Sequence, residues 1–351
     1  MEKPSLDTAK AGAMRFNTDS SQLEIYDGNQ WTGILATSGE QLTGGTRGFF
    51  AGGNSTNIEF ITVDTTGDAT DFGDLTTTFW INKCSASRVR GLIHGDRPAT
   101  TNIDFITIAS AGTNASDFGD MTESKEDPAG VSNGTRAVLC GGAAVAPGNT
   151  IDYVTIAQTG NAVDFGDLYQ QVIHQASGES KIRGVIANGY TPSTSNVIQY
   201  ITISTLGNSA DFGDSTSGGY GASGSSNAVT MVFNLGYNGS SHSTTMNSLT
   251  ISTLGNSVFF GDLTRTMYGP GTCSSRIRGV FAGDYPSSSD VINYFQFSSL
   301  GDGIDFGDFF IHFLNLLMCI LKPLRSFLCF LDLYATGKKN SKVCFKAIDY
   351  I

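Results

Sequence analysis

Short apolar segments alternate with polar, glycine-containing turns along most of the chain. The segment Ile151–Ile156 reads IDYVTI, and its counterparts elsewhere read IEFITV, IDFITI, IQYITI and INYFQF. When such a segment is extended, apolar side chains fall on both of its faces, which is typical of a sheet packed between two neighbouring sheets. No window before residue 309 has the 3.6-residue spacing of an amphipathic helix. The pattern therefore predicts an all-β protein.

A four-residue motif, Asp-Phe-Gly-Asp, recurs along the same region, with Phe-Phe-Gly-Asp as its fifth copy. Its aligned phenylalanines are spaced by 46, 47, 47, 48 and 46 residues, and they are Phe72, Phe118, Phe165, Phe212, Phe260 and Phe306. Each repeat also has an Arg-Gly strand upstream, although Thr230 replaces the arginine in the fifth. A unit of this length holds about four short strands and cannot bury its own faces, so the repeats must stack.

Four short strands in a repeat of roughly 40–50 residues predict a β-propeller. The repeats resemble those of Kelch-type propellers, in which an apolar strand ends in Gly-Gly, a strand with a tyrosine follows, and a tryptophan comes after a turn. Gly52-Gly53 and Gly141-Gly142 match the glycine pair, and Tyr153 and Tyr200 match the tyrosine. We therefore predict a six-bladed Kelch-like β-propeller over residues 46–308, in which the repeat phenylalanines replace the tryptophan as buried wedges between blades.

Asp-Phe-Gly is also a protein-kinase motif, but a kinase has one copy together with a strand lysine and a His-Arg-Asp loop, which this sequence lacks. In a propeller the glycine would allow a tight bend, and the aspartates would bond backbone amides in the turn or face solvent. The alternative is that the repeated carboxylates bind calcium. Calcium loops, however, group several oxygen ligands in one short loop, and here the flanking residues are apolar.

Composition excludes several classes of function. The 351 residues carry a net charge of −11, and residues 1–308 alone hold 15 basic and 30 acidic side chains, a net of −15. The repeats have no basic patch, so nucleic-acid binding is not expected. The six cysteines form no Cys-x-x-Cys pair and the four histidines are scattered, which predicts no metal site. No catalytic or cofactor-binding set of residues stands out, and we expect a protein without enzymatic activity.

Residues 11–34 differ from the repeats. They predict three strands, Ala13–Phe16, Gln22–Tyr26 and Gln30–Ile34, with Asp27-Gly28 in a hairpin turn. The segment resembles a short module of tailed-phage virion proteins, especially tail fibres, and the matching residues are Gly12, Met14, Arg15, Phe16, Asn17, Thr18, Leu23, Glu24, Tyr26, Gly28 and Trp31. The repeats likewise resemble those of marine-phage structural proteins, in which Asp-Phe-Gly-Asp-Leu units follow such a module.

These resemblances imply a virion structural protein of a tailed phage, such as a tail-fibre, tail-tip or decoration component, assembled in the host cytoplasm and present as a homo-oligomer. Residues 1–45 would attach it to other virion proteins through Phe16, Tyr26 and Trp31. The variable segments after the Arg-Gly strands would present a surface to a host glycan or protein. The alternative is a carbohydrate-binding or protein-interaction propeller outside a virion. Contact with a membrane is not expected.

Residues 309–351 change abruptly in character, with one glycine and a nearly apolar stretch at Phe309–Tyr334. Lys322, Pro323 and Arg325 interrupt that stretch, so its longest uninterrupted part is too short to cross a bilayer. Three interpretations remain open: a membrane-active hairpin, an apolar helix that packs on the repeats or on a partner, and out-of-frame coding sequence. We also predict that residues 33–45, and not this tail, supply the strand that the last unit lacks.

Overall fold

The computed structural model of the protein describes residues 10–17, 22–33, 47–80, 82–109, 112–142, 148–284, 289–309 and 344–345. This part of the chain consists of strands and turns without an α-helix, which confirms the all-β prediction. It forms seven small antiparallel sheets, one of three strands and six of four. Within the same residues, no helix is long and apolar enough to span a membrane.

The chain divides into two compact units, one built around Met1–Glu40 and one spanning Gln41–Tyr350. The first holds the three-stranded sheet, formed in order by β1 (Met14–Asn17), β2 (Gln22–Tyr26) and β3 (Trp31–Gly33). The three strands predicted for this segment are thus confirmed. Asp27 stabilises the β2–β3 turn, because its Oδ1 accepts hydrogen bonds from the backbone N–H groups of Asn29 and Gln30, both at 2.8 Å.

The second unit holds the six four-stranded sheets, which we number I to VI. In sheets II to VI a short first strand is followed by the Arg-Gly strand (with Thr230 in sheet V), the alternating strand and the strand of the Asp-Phe-Gly-Asp motif. Sheet I contains β4 (Arg47–Ala51), β5 (Ser55–Thr62) and β6 (Thr70–Phe79), and sheet II contains β7 (Lys83–Ala86), β8 (Arg90–His94), β9 (Thr100–Thr107) and β10 (Ser116–Lys125). Sheet III contains β11 (Ala129–Ser132), β12 (Arg136–Cys140), β13 (Thr150–Thr155) and β14 (Val163–Asp167), and sheet IV contains β15 (Ala176–Glu179), β16 (Arg183–Thr191), β17 (Ser193–Thr202) and β18 (Ala210–Gly219). Sheet V contains β19 (Gly224–Ser226), β20 (Thr230–Asn234), β21 (Thr245–Thr250) and β22 (Val258–Asp262), and sheet VI contains β23 (Gly271–Ser274), β24 (Arg278–Ala282), β25 (Val291–Gln296) and β26 (Ile304–Asp308). Sheet I is completed by β27 (Cys344–Phe345).

Sheet III illustrates how both faces of a sheet are buried. Val138 and Phe165 lie in one apolar cluster with Ile186 of sheet IV. Leu139, the neighbour of Val138 in the chain, lies in a different cluster with Leu92 of sheet II. Successive side chains of a strand point to opposite faces, so a strand packed on both sides is apolar throughout. The predicted packing between two neighbouring sheets is therefore confirmed for this sheet.

Each sheet contacts the next in chain order, and sheet VI contacts sheet I. The N–H groups of Gly67 and Ala69 in sheet I donate to the carbonyl oxygens of Phe306 and Asp308, at 3.1 and 3.0 Å. Phe309 is 1% exposed and its ring lies edge-on to that of Phe50 in sheet I, with centroids 5.0 Å apart. The repeat packing thus extends one residue beyond the predicted end at 308.

The fourth strand of sheet I comes from the C-terminal tail. β27 pairs with β4 in antiparallel register, with Cys344 opposite Phe50 and Phe345 opposite Phe49. The prediction that residues 33–45 fill this position is therefore wrong. Strand pairing uses main-chain groups that nearly every residue carries, so the edge of β4 can accept segments of very different sequence. Residues 34–46 and the apolar stretch of the tail, with its three interpretations, lie outside the described residues.

Candidate functional site

The repeat phenylalanines lie at the contacts between sheets. All six are buried, with exposed fractions between 0 and 3%. Phe165 of sheet III packs with Ile186, Ile201 and Ile203 of sheet IV. Each of the other five likewise belongs to an apolar cluster shared by two successive sheets, and Phe306 to the cluster shared by sheets VI and I. These side chains therefore serve packing and are not available to a ligand.

The rest of the motif makes hydrogen bonds to the following sheet. The Phe165 carbonyl accepts from the Gly207 N–H at 2.9 Å, and the Asp167 carbonyl accepts from the Ser209 N–H at 2.8 Å. The Asp167 N–H donates to Oδ1 of Asn208 at 3.0 Å. Three equivalent bonds join every successive pair of sheets, including VI to I, with Asp68 or Asp302 in place of asparagine at two contacts. The second aspartate thus contributes its main chain, whereas the first aspartate of each motif is exposed.

Glycine is required in the motif by this close approach. Gly166 has φ of 145°, and a Cβ built on it would lie 2.6 Å from the carbonyl carbon and oxygen of Gly207. Any side chain there would separate sheets III and IV. Contacts between sheets therefore explain why the Asp-Phe-Gly-Asp motif recurs in each repeat.

A buried polar residue in the third strand forms a second contact between sheets. Asp152, in β13, accepts hydrogen bonds from the N–H of Thr122 at 3.2 Å and from its hydroxyl at 2.6 Å. Asp104, Gln199, Asn247 and Asn293 accept a backbone N–H in the same way at four of the other five contacts. Burial raises the pKa of both Asp104 and Asp152. This position is not evident from the sequence, because a polar residue in an alternating strand is expected to face solvent.

The arginines of the Arg-Gly strands form a third contact. Arg136 of sheet III donates to the Ile203 carbonyl of sheet IV at 3.0 Å, and its guanidinium lies 4.4 Å from the ring centroid of Tyr153. The same pair of contacts is made in four other sheets. Sheet V has Thr230 and Ser248 at these two positions and therefore lacks both the cation and the aromatic ring. Most of the repeated residues are thus accounted for structurally.

The N-terminal sheet has two different faces. On one, Arg15 pairs with Glu24 at 2.7 Å and lies 4.1 Å from the ring centroid of Trp31, which in turn contacts Tyr26. Tyr26 is only 8% exposed, so this predicted docking residue belongs to the interior of the module. Trp31 is half-buried, and the side chain of Phe16, the third predicted docking residue, lies outside the described part of the chain.

The opposite face of this sheet exposes an apolar pair that sequence analysis missed. Met14 and Ile25 lie directly opposite each other on β1 and β2 and are 66% and 36% exposed. Their side chains are neighbours, because residues opposite each other in an antiparallel pair share a face. Tyr26 was the more visible candidate in the sequence, but the alternation of the strand points it to the other face.

Departures from the repeat pattern gather at one end of sheets III to VI. Tyr190, Tyr220, Tyr237 and Tyr268, with His242, form what we call the tyrosine cluster. Tyr220 is central: its ring centroid lies 5.1 Å from that of Tyr190, 5.4 Å from Tyr237 and 5.7 Å from Tyr268. His242 contacts both Tyr237 and Tyr268, at 5.1 and 5.6 Å. Tyr190 is 39% exposed and the other tyrosines are partly exposed, so solvent reaches the cluster.

The backbone holds the segments of the cluster together. Tyr220 and Tyr237 exchange two hydrogen bonds, with N···O distances of 3.0 and 2.8 Å. The Gly221 N–H donates to the His174 carbonyl, and the Gly269 N–H donates to the Gly221 carbonyl. A Cβ on Gly221 would overlap the Tyr268 ring, so glycine is needed for this aromatic contact. Four separate loops are thus fixed relative to one another before any ligand arrives.

A chain of three polar side chains adjoins the cluster. Lys83 Nζ lies 3.2 Å from Asp127 Oδ1, and Asp127 Oδ2 lies 2.6 Å from Nδ1 of His174. The His174 ring lies 6.3 Å from that of Tyr220, between centroids. Burial alone would raise the pKa of Asp127, but the charge of Lys83 and the hydrogen bond with His174 outweigh it and lower that pKa. Asp127 therefore remains ionised and orients His174.

Asp127 and His174 also have unusual backbones. They occupy equivalent positions just before the first strands of sheets III and IV, with φ of 51° and 56°. Gly221 and Gly269 hold the same position in the next two repeats, with φ of 65° and 58°. A left-handed conformation costs a residue with a side chain about 1 kcal/mol or more, and such strain concentrates at functional sites. The two side chains that replace glycine here are the ones that bond to each other.

The arrangement is suited to binding. Among the described residues, the hydroxyls of Tyr190, Tyr220 and Tyr237 have no hydrogen-bond partner, so they are available to a ligand. Burial, with the neighbouring Tyr237 and Tyr190, raises the pKa of Tyr220, which keeps its hydroxyl protonated. No described serine, threonine or cysteine hydrogen-bonds to His174, and the described residues hold no cluster of potential metal ligands.

The variable segments are evident from the sequence, but the tyrosine cluster is not. The predicted binding surface lay in the segments after the Arg-Gly strands, which include Tyr190, Tyr237 and His242. It did not include Tyr220, Tyr268 or His174, which come from the segments that lead from one sheet into the next. The sequence does contain one sign of this site, because Asp127 and His174 occupy the repeat position that holds Gly221 and Gly269 in the next two repeats. Comparison of the chain with known proteins finds neither a matching protein-family model nor a matching curated protein.

Proposed function

We propose that the protein is a non-enzymatic structural protein of a tailed-phage virion. In this proposal, residues 47–309 form a closed six-bladed β-propeller with Kelch-like repeats that is displayed for attachment to a host surface. The N-terminal module attaches the propeller to a neighbouring virion protein. The observation that carries the proposal is the division of the chain into a small module with an exposed apolar pair and a separate repeat unit whose irregular residues gather at one end.

The contacts between sheets support the propeller. Six four-stranded antiparallel sheets follow one another in the chain, and the same three hydrogen bonds recur at all six contacts. The sixth contact joins sheet VI to sheet I, with Gly67 and Phe306 in the same roles as Gly207 and Phe165. A succession of similar contacts that returns to its start is what radial repetition around an axis produces.

The virion role rests on the N-terminal module. Its three strands form as the alternation of residues predicts, and a sheet this small requires further contacts for stability. Met14 and Ile25 provide an apolar surface for such contacts, in addition to the half-buried Trp31. Many copies on one particle would then compensate for a weak affinity of each propeller.

The proposal is tested on purified phage particles. An antibody against the chain should label intact virions in negative-stain images, and the full chain should capture a virion protein in a pull-down. Met14→Ser with Ile25→Ser should lose this capture. Leu300→Ser is the control, because Leu300 is equally apolar, is 73% exposed and lies in the repeat unit. Absence of the chain from every virion would reject the proposal.

A second candidate function is a carbohydrate-binding or protein-interaction propeller outside a virion. The tyrosine cluster favours it, because aromatic side chains suit a binding surface whatever its biological setting, and the hydroxyls of Tyr190, Tyr220 and Tyr237 have no partner among the described residues. It would stand if the chain binds a ligand through this cluster and no virion contains the chain.

A further inference from the structure

We propose that the tyrosine cluster is a carbohydrate-binding site that takes an uncharged hexopyranose unit of a glycan. The proposal deepens the proposed function, since it assigns a chemical class to the surface ligand, and it rests on that function only for the biological source of the glycan. The cluster itself, its hydroxyls and the paired charges around it carry the assignment.

Shape and polarity of the cluster match a sugar ring. A pyranose has an apolar face of C–H groups and a rim of hydroxyls, so it is bound best by flat side chains that also carry a polar group. Tyr190, Tyr220 and Tyr237 are such side chains, and the ring centroid of Tyr220 lies 5.1 Å from that of Tyr190 and 5.4 Å from that of Tyr237. Tyrosine loses little conformational entropy when it is ordered, which favours it in binding surfaces.

The available hydrogen-bonding groups are numerous for so small an area. Three tyrosine hydroxyls have no partner among the described residues, and each can donate one hydrogen bond and accept others. His242, which is exposed, adds an imidazole beside Tyr237 and Tyr268. Sugar hydroxyls are likewise both donors and acceptors, so they can pair with these groups in either direction.

Charge selects an uncharged ligand. Three ion pairs occur in the segments at this end, Lys83–Asp127, Arg97–Glu126 and Arg265–Asp284, with N···O distances of 3.2, 3.2 and 3.6 Å. Each lysine or arginine is neutralised by its carboxylate partner, so none of them is poised for a sialic acid, sulfate or phosphate group. Displacing a partly buried carboxylate to free such a cation costs more than an exposed contact returns.

The site is also organised before a ligand binds. The Tyr220 and Tyr237 backbones are hydrogen-bonded to each other, and the His174 carbonyl accepts the Gly221 N–H at 2.9 Å. Asp127 orients the His174 ring beside Tyr220 through the 2.6 Å hydrogen bond. A rigid site avoids the entropic penalty of ordering its loops, which matters most for a weakly binding ligand such as a single sugar.

The test uses the full chain and methyl glycosides of glucose, galactose, mannose and N-acetylglucosamine, followed by an array that holds both neutral and sialylated or sulfated glycans. Binding is measured by saturation-transfer NMR and titration calorimetry. At least one neutral glycoside should bind, and Tyr220→Ala should weaken it by at least about tenfold, which corresponds to ~1.4 kcal/mol. Tyr220→Phe should produce a smaller loss, because only the hydroxyl is removed.

Tyr169→Ala is the matched control, since Tyr169 is 66% exposed and lies outside the cluster, and its affinity should equal that of the wild type. If Tyr220→Ala does not fold, His242→Ala provides the test, because that side chain is exposed. The inference is overturned if no neutral glycan binds, if only acidic glycans or a protein bind, or if the cluster variants bind as the wild type does. Binding by a chain that no virion contains would instead reject the proposed function and leave the inference in place.

Discussion

The effect of a substitution on stability depends on whether the side chain of the repeat residue faces a neighbouring sheet or solvent. Phe165 is 3% exposed between sheets III and IV, whereas Asp164 beside it is exposed. His94 is fully buried in sheet II, where Ser85 Oγ lies 3.2 Å from its Nε2. Burial, and the charges of Lys125 and Lys83, lower the pKa of His94 to about 3. Substitutions of Phe165 and His94 therefore test how tightly the interior is packed and how well it excludes water.

Phe165→Ala should lower the free energy of unfolding by about 3–5 kcal/mol, because a buried ring is lost and the two sheets cannot collapse to fill the space. Asp164→Ala, one position away, should change it by less than about 0.5 kcal/mol, since the carboxylate is exposed. Denaturant melts of both variants measure the difference. Equal stabilities would show that the repeat phenylalanine does not join the sheets.

His94 should make the protein sensitive to acid. Its folded pKa lies below the usual 6.5, so between pH 6.5 and about 3 the unfolded chain binds a proton here that the folded chain does not. The contribution of this group to stability is therefore present above pH 6.5 and is lost as pH falls, on the order of 1 kcal/mol per pH unit. Melts of the wild type and of His94→Asn across this range provide the measurement.

Asparagine is the suitable replacement because Asn234 occupies the equivalent position in sheet V. The variant should lose less stability per pH unit than the wild type, and subtracting the two slopes cancels Asp127, Asp104 and Asp152, which titrate in both proteins. Parallel slopes would mean that His94 is solvated in the folded state.

At the scale of the strand, sheet V is the one four-stranded sheet that lacks the arginine contact made by the other five. In the other five sheets an arginine of the second strand donates to a carbonyl of the next sheet and covers an aromatic ring of the third strand. Sheet V has Thr230 and Ser248 at these places, and Phe297 has the carbonyl that corresponds to Ile203. The arginine and the ring are thus present or absent together.

Thr230→Arg combined with Ser248→Tyr should raise the free energy of unfolding by about 1 kcal/mol, through a stacked guanidinium and one added hydrogen bond. Either change alone should contribute less, because the arginine then lacks its ring or the ring lacks its cation. A double-mutant cycle measured by denaturant melts isolates the coupling. The converse pair in sheet III, Arg136→Thr with Tyr153→Ser, should be destabilising. Strict additivity in both sheets would contradict the coupling.

The whole repeat unit depends on how its first sheet is completed. β27 pairs with β4 through Cys344 and Phe345, and it occupies the place that a short first strand has in sheets II to VI. Without it, the main-chain groups along one edge of β4 would lack a strand partner. Completion of sheet I by a distant part of the chain ties the end of the repeat unit to its beginning.

Removal of residues 310–351 should therefore lower the free energy of unfolding, by about 1–3 kcal/mol for the lost strand pairing. Removal of residues 1–45 should leave the melt of the repeat unit unchanged, because the described residues of that segment form a separate unit. Thermal and denaturant melts of the two shortened chains decide the matter. The opposite ranking would mean that residues 33–45 hold the edge of β4 in solution.

The sequence alone determined the all-β fold, the size of the repeat, the four strands of each unit and the three strands of the N-terminal module. These features follow from alternation and turn residues, which are properties of neighbours in the chain. Only the tertiary structure decided that Asn208 bonds the main chain of Asp167, that Asp152 is buried, and that Cys344–Phe345 completes sheet I. The tyrosine cluster belongs with these, because its residues, from Tyr190 to Tyr268, come from separate segments of the chain. Such contacts depend on how distant segments stack, and no local pattern of hydrophobic and polar residues records which side chains the stacking brings together.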